Sequence, residues 1–165
     1  VKKQTVIALV VLAGIGGYLW WRLHPNEERV VAKRVASFAE CVSKTAGEGN
    51  AMMAIKANNL PGFLASRVGI SVSSQQIDGT YDGTELASLV SRARTMFSSL
   101  DLVFHDITVS IDSPDTASAT FTARLTAAYK QGGSQTETRE VHAQLKKSDG
   151  VWQFVRFAEE EVMVK

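Results

Sequence analysis

Between Ala117 and Tyr129 apolar and polar positions alternate with a period of two: Ala117, Ala119, Phe121, Ala123, Leu125, Ala127 and Tyr129 against Ser118, Thr120, Thr122, Arg124 and Thr126. That spacing predicts a β-strand with one dry face and one wet face. Strand-like runs at Leu102–Ile111, Gln135–Lys147 and Val151–Val164 surround it, set apart by Ser113-Pro114-Asp115, Gly132-Gly133 and Ser148-Asp149-Gly150. These are the residues that tight turns require, and such short connections predict an antiparallel sheet. The runs are ten to fifteen residues long where five or six is usual, so the sheet is expected to coil and to carry bulges.

Before Leu102 the apolar spacing becomes helical. Asn26 can cap a first helix with Glu27 and Glu28 in its first turn, and Val31, Val35, Phe38 and Val42 form its apolar stripe. Gly47-Glu48-Gly49-Asn50 breaks it. Asn50 can then cap a shorter helix carrying Met52, Met53 and Ile55 as core filler, ending near Leu60 ahead of Pro61-Gly62. Val68, Ile70 and Val72 suggest a strand, a polar connection runs from Ser74 to Gln76, and Ile77 to Gly83 reads as a turn. Asp82 with Glu85 makes an Asp version of the capping box for a third helix, whose apolar face is Leu86, Leu89, Val90, Ala93, Phe97 and Leu100. Three helices of this kind can fill the concave face of a coiled sheet, an α+β arrangement.

Thr5–Trp21 changes the picture at the amino end. It is 17 residues without a charge, about 25 Å as a helix, at the short end of what spans a bilayer. Lys2, Lys3 and Arg22 can snorkel to the headgroups, and Tyr18, Trp20 and Trp21 cluster where an aromatic belt would sit. The rival is a cleaved signal peptide. Against cleavage, the small residues Ala13, Gly14, Gly16 and Gly17 lie inside the apolar run, and Ile15 stands where a lipoprotein signal needs cysteine. The expected division is an anchor over residues 1–24 and one domain over 25–165. The short basic amino end would stay in the cytoplasm and leave the domain in the periplasm, anchored in a bacterial inner membrane.

The chain of 165 residues carries 18 basic and 17 acidic side chains. Interspersed and near neutrality, they give no electrostatic footprint for nucleic acid. Cys41 is the single cysteine, so no intramolecular disulfide forms, and it sits at the edge of the first helix's stripe as a packing residue. There are no paired histidines at ligand spacing, no Ser-His-Asp order in a convincing context and no phosphate loop outside the apolar run. No cofactor, metal or catalytic residue is expected.

The order helix, helix, strand, helix, then four long antiparallel strands resembles the nuclear transport factor 2-like superfamily, also called SnoaL-like, over about Asn26 to Lys165. Its most specific parts here are Tyr81-Asp82-Gly83-Thr84-Glu85-Leu86, Asp115-Thr116-Ala117-Ser118-Ala119 and Ser148-Asp149-Gly150-Val151-Trp152-Gln153-Phe154. The resemblance implies a cone-shaped α+β fold and leaves function open, since the superfamily hosts enzymes, adaptors and scaffolds. Ketosteroid-isomerase-type members place an Asp base and a Tyr in the cone; here that region offers only Asp78, and the first helix has no tyrosine. Assembly proteins of type IV secretion systems carry this fold after one anchor, but their Asn-Pro-x-Gly signature is absent.

Three readings follow. The first is a membrane-anchored, non-catalytic interaction or scaffold domain, with Thr120, Thr122 and Arg124 on its wet face and a homodimer or membrane-complex protein as partner. The second is a small-molecule binding protein. For it, His105 is expected to share a face with Val103, Ile107, Val109 and Ile111, and Arg156 with Trp152, Phe154 and Ala158. Together with Asp78 these are the ligand-binding candidates, and a converging His and Arg would suit an anion. The bland counterpart is a half-exposed His105 and an Arg156 paired with Glu137 or Glu159 at the sheet margin. The third reading is an isomerase- or hydrolase-type enzyme.

Overall fold

The computed structural model describes residues 26–159, so the predicted membrane run Thr5–Trp21 and the end of the predicted closing strand lie outside the described residues. Among those described, no helix is long and apolar enough to cross a membrane. Three helices, α1 (Glu27–Val42), α2 (Asn50–Asn59) and α3 (Gly83–Met96), combine with six strands: β1 (Leu64–Val72), β2 (Ile77–Asp82), β3 (Phe97–Ser113), β4 (Thr116–Tyr129), β5 (Ser134–Ser148) and β6 (Val151–Glu159). The sheet order is β2-β1-β6-β5-β4-β3. Every neighbour pair is antiparallel except β1 with β6, which is parallel.

The dry face of β4 is the floor of the core. Ala117, Ala119, Phe121 and Ala127 are buried, and β5 and β6 extend the floor with Ala143, Leu145, Trp152 and Phe154. Against it lies the predicted stripe of α1: Val31 and Val35 are fully buried, and Phe38 stands among Phe63, Phe154 and Phe157 with ring centroids 5.0 to 5.8 Å apart. Each such side chain contributes about 1.5–3 kcal/mol by leaving water. Polar contacts fix the helix ends. Asn26 accepts a hydrogen bond from the Glu28 amide, and Asp82 accepts from those of Thr84 and Glu85. At the start of α1, Glu27 accepts from Lys147 Nζ (2.8 Å) and Trp152 Nε1 (3.0 Å), tying the helix to the β5–β6 hairpin. Arg34 donates to the carbonyls of Trp152 and Gly62 while its guanidinium lies 3.9 Å over the Phe63 ring.

Several expectations need correction. Ile77–Asp82 is a strand paired along β1, not a turn. The third helix stops at Met96, and Phe97 and Leu100 begin β3, where Leu100 exchanges backbone hydrogen bonds with Lys44. Leu89, assigned to the buried face of α3, is exposed. The N-cap of α2 is Gly49, with no side-chain cap bond, and α2 buries none of its residues. Met52 and Ile55 are about half exposed (49% and 53%) because polar contacts hold this helix: Lys56 Nζ donates to the Ser43 carbonyl (2.8 Å) and reaches Glu48 (3.0 Å).

The long strands do carry bulges, and these decide which residues face the helices. In β3, His105 pairs with Thr122 while Thr108 pairs with Thr120, so two residues stand opposite Phe121 alone. The extra residue reverses the alternation and Asp106 takes a positive φ of 53°. In β6, Leu145 pairs with Phe154 but Gln144 with Arg156, leaving Val155 as the insertion. Phe157 is thereby turned inward, where it stacks on Phe154, and Arg156 outward.

Candidate functional site

Between the sheet and helices lies an open-mouthed cavity of about 300 Å³ in the concave face. Its walls are Phe38 of α1, Leu64 and Ile70 of β1, Leu86 and Val90 of α3, and inward residues of β3 to β6: Leu102, Phe104, Phe121, Ala123, Val141 and Phe157. None of these carries a polar side chain. Phe104 and Phe121 pack at 4.2 Å between centroids and form one wall. Among the described residues no group of three or more His, Cys, Asp or Glu side chains could hold a metal ion.

The predicted ligand residues stand elsewhere. Residues paired across a sheet share a face, so the partnerships His105 with Thr122, Arg156 with Gln144, and Asp78 with Ser71, which lies opposite Ala158, put all three on the outer face. All three are exposed. They belong to β3, β6 and β2: at about 4.8 Å per strand His105 is displaced about 14 Å and Asp78 about 10 Å from Arg156 across the sheet, and the register offsets them further along it, so the three do not converge. The expected faces were wrong on both counts. The β3 bulge separates His105 from Ile107, Val109 and Ile111, and the β6 bulge separates Arg156 from Trp152 and Phe154. Arg156 instead lays its stem over Gly69 and makes no ion pair among the described residues. Thr120, Thr122 and Arg124 do share the outer face, where Thr120 Oγ1 lies 3.3 Å from His142 Nδ1.

The charged groups that do reach the concave face are Arg139, which the sequence pattern did not single out, and Glu137 and Glu159, which were expected only as sheet-margin partners for Arg156 and pair with Arg139 instead. Arg139 pairs in register with Ala123, and Glu159 with Val141, both wall residues of the cavity. Arg139 Nη1 lies 3.1 Å from Glu159 and Nη2 3.9 Å from Glu137, forming a charged rim. Glu159 also accepts from the Ser74 amide at 3.0 Å. Hydrogen bonding from Ser74, and then Arg139, holds its carboxyl below the ordinary value. The signal was present, since Glu137 and Arg139 keep the phase of the buried Ala143 and Leu145.

A second polar cluster lies behind α1. Arg94 of α3 is 1% exposed and pairs with Glu48 of the α1–α2 loop, which also holds Lys56. Burial works to raise the Glu48 pKa, but the Lys56 hydrogen bond and the charges of Arg94 and Lys56 outweigh it and leave it lowered. This cluster joins loop to helix and reaches no wall of the cavity.

Helices against the concave face of a coiled sheet, with an apolar hollow between them, decide the architecture. The chain has a nuclear transport factor 2-like fold. No protein-family model and no curated sequence matches it. Among solved structures it is similar to an NTF2-like protein with a cystatin-like fold from Novosphingobium aromaticivorans (15% identity, 89% of this chain and 90% of that one, TM-score 0.63). It is also similar to a putative scytalone dehydratase from the same organism (12%, 82% and 83%, 0.65) and to a CaMKII hub from S. rosetta (13%, 83% and 98%, 0.61). At such identities the likeness concerns the fold, and the cone can be compared while its chemistry cannot.

Proposed function

We propose that this is a non-catalytic binding domain whose cone takes up an uncharged apolar molecule, carried on an N-terminal membrane anchor with the domain in the periplasm. The observation that supports it is the lining of the cavity. A general acid or base must stand within hydrogen-bond reach of the proton it moves, and among the described residues the wall is made of Phe, Leu, Ile, Val and Ala and offers no such group. Burying a charge there without a partner would be strongly unfavourable. At about 30 Å³ for a group the size of water or methylene, 300 Å³ holds roughly ten carbons. The test is uptake of an uncharged naphthyl fluorophore by the full chain in lipid nanodiscs, compared with Ala123→Phe, which puts a ring into the cavity. Saturable fluorescence in the wild type that is lost in the filled variant is expected. Equal signals would overturn the reading.

The outer sheet face favours a second reading, a protein-interaction or scaffold surface. Thr120 and Arg124 are exposed there, and Thr120, Thr122 and Thr126 sit in register with Thr108, His105, His142, Glu140 and Thr136. Such a hydroxyl-rich, weakly charged surface is soluble alone yet able to pack on another sheet, and two anchored copies would meet at a raised effective concentration. Cysteine crosslinking at Thr122 in a Cys41→Ala background should trap a homodimer or partner in native membranes; a chain that stays monomeric would sink it.

A further inference from the structure

We propose that the groove between α1 and the β5–β6 hairpin seats the phosphate headgroup of an anionic lipid and so lays the domain on the membrane that anchors it. This rests on Thr5–Trp21 being a membrane anchor. Among the described residues the groove measures about 290 Å³ and is lined by Val30, Lys33, Arg34 and Ser37 of α1 and by Gly150, Val151 and Trp152 of the hairpin. Its lining carries two cations and no acid. Neither Lys33 nor Arg34 has an ion-pair partner among the described residues. Arg34 donates through Nε to the Trp152 carbonyl (3.0 Å) and through Nη2 to that of Gly62, contacts that hold the guanidinium in place and leave its charge uncompensated. The acids nearby are engaged or turned away: Glu27 is held by Lys147 and Trp152 Nε1, and Glu28 lies about 160° round the helix from Val30. Asp149 of the hairpin turn remains, against Lys33, Arg34 and Arg29, which stands one turn before Lys33 on the same side. The guanidinium, the ammonium and the Ser37 hydroxyl can all donate to phosphate oxygens. Val30 (39% exposed) on one wall and Val151 (45%) on the other give the groove apolar lips, which suit the boundary between headgroups and acyl chains. Chain length brings the groove there. The five peptide steps from Trp21 to Asn26 reach about 18 Å at most, and along α1 Val30 and Ser37 lie about 6 and 16 Å beyond Asn26. The Gly132-Gly133 turn, at the other end of β5, is held away from the bilayer.

The test uses the full chain in nanodiscs of phosphatidylcholine alone or mixed with phosphatidylglycerol. A fluorophore is attached through Ser148→Cys beside the groove or, as the control at the other end of the sheet, through Lys130→Cys, each in a Cys41→Ala background. Quenching by a lipid that carries a nitroxide on its headgroup is then measured. Strong quenching at 148 and little at 130 is expected in the anionic discs, weakening in neutral discs and at high salt. The ratio of docked to free domain read from the quenching should fall about fivefold in Lys33→Gln, the worth of one basic side chain at an anionic surface, and should hold in Lys33→Arg. Lys33 is exposed, so this pair of variants leaves the Arg34 contacts and the fold in place. Equal quenching at both positions, or quenching at 148 that ignores lipid charge and Lys33→Gln, would overturn the proposal while leaving the anchor. A chain that does not enter nanodiscs at all would overturn the anchor itself and the proposal with it.

Discussion

Replacing Glu48 by Gln should destabilise the domain more than replacing its partner Arg94 by Leu, although both changes break the same buried pair. Glu48 faces Arg94, which is 1% exposed and already has an unpartnered Nε, and it also faces Lys56 at 3.0 Å. Neutralising Glu48 leaves two cations side by side with no counter-charge, and breaking a buried pair in that way costs about 3–5 kcal/mol. Arg94→Leu leaves Glu48 with Lys56 and the Thr45 amide, so its loss is nearer the about 1–3 kcal/mol of a buried group deprived of one partner. The sign with pH follows from the lowered Glu48 pKa. Its contribution is fully present above the unfolded carboxylate value, about 4.3, and is lost as pH falls through the lower folded value. Urea midpoints by circular dichroism, taken at neutral pH and down the acid limb, measure both effects. Glu48→Gln should also flatten the acid limb. Equal losses, a reversed order, or an acid limb unchanged in Glu48→Gln would refute the reasoning.

Phe121→Ala and Trp152→Ala should each cost about 3–5 kcal/mol in the same assay, since both side chains are 2% exposed. Thr120→Ala and Thr122→Ala should stay within about 0.5 kcal/mol, and comparable losses would mean that a partner covers the outer face. Gly83→Ala should cost about 1–3 kcal/mol despite alanine's better helix propensity, because an added Cβ would stand 2.0 Å from the Ala65 carbonyl oxygen; a neutral result would mean that α3 slides freely on β1. Cys41, whose thiol pKa burial pushes up, should alkylate far more slowly in the folded chain than in urea, and equal rates would show α1 opening. An alkaline-phosphatase fusion after Lys165 should be active in a membrane fraction, whereas a soluble chain beginning downstream of Trp21 would sink the anchor.

Much of the fold was legible because one-sided burial imposes a period. The alternation of β4 and the stripe of α1 each named the face that the structure buries. The legible part ended where a single inserted residue changes the phase. Nothing in Phe104-His105-Asp106-Ile107 or Phe154-Val155-Arg156-Phe157 announces a bulge, so His105 and Arg156 were assigned to the inner face and Phe157 was overlooked. The strand β2 was hidden by Asp78-Gly79, which reads as a turn, and its pairing with β1 overrides that local preference. Met52 and Ile55 misled for the opposite reason: their apolar character implied burial, while α2 is held by Lys56 and Glu48. The cavity was beyond any pattern, since an unfilled space is a property of how facing side chains meet in three dimensions.

Methyl resonances of the full chain in nanodiscs, followed during titration with naphthalene, test the central claim most directly. The account predicts saturable shifts at Ile70, Val90, Leu102 and Val141, with the methyls of Thr120 and Thr122 on the outer face unmoved. Shifts confined to the outer face, or cone methyls that do not respond while the fold is intact, would contradict it.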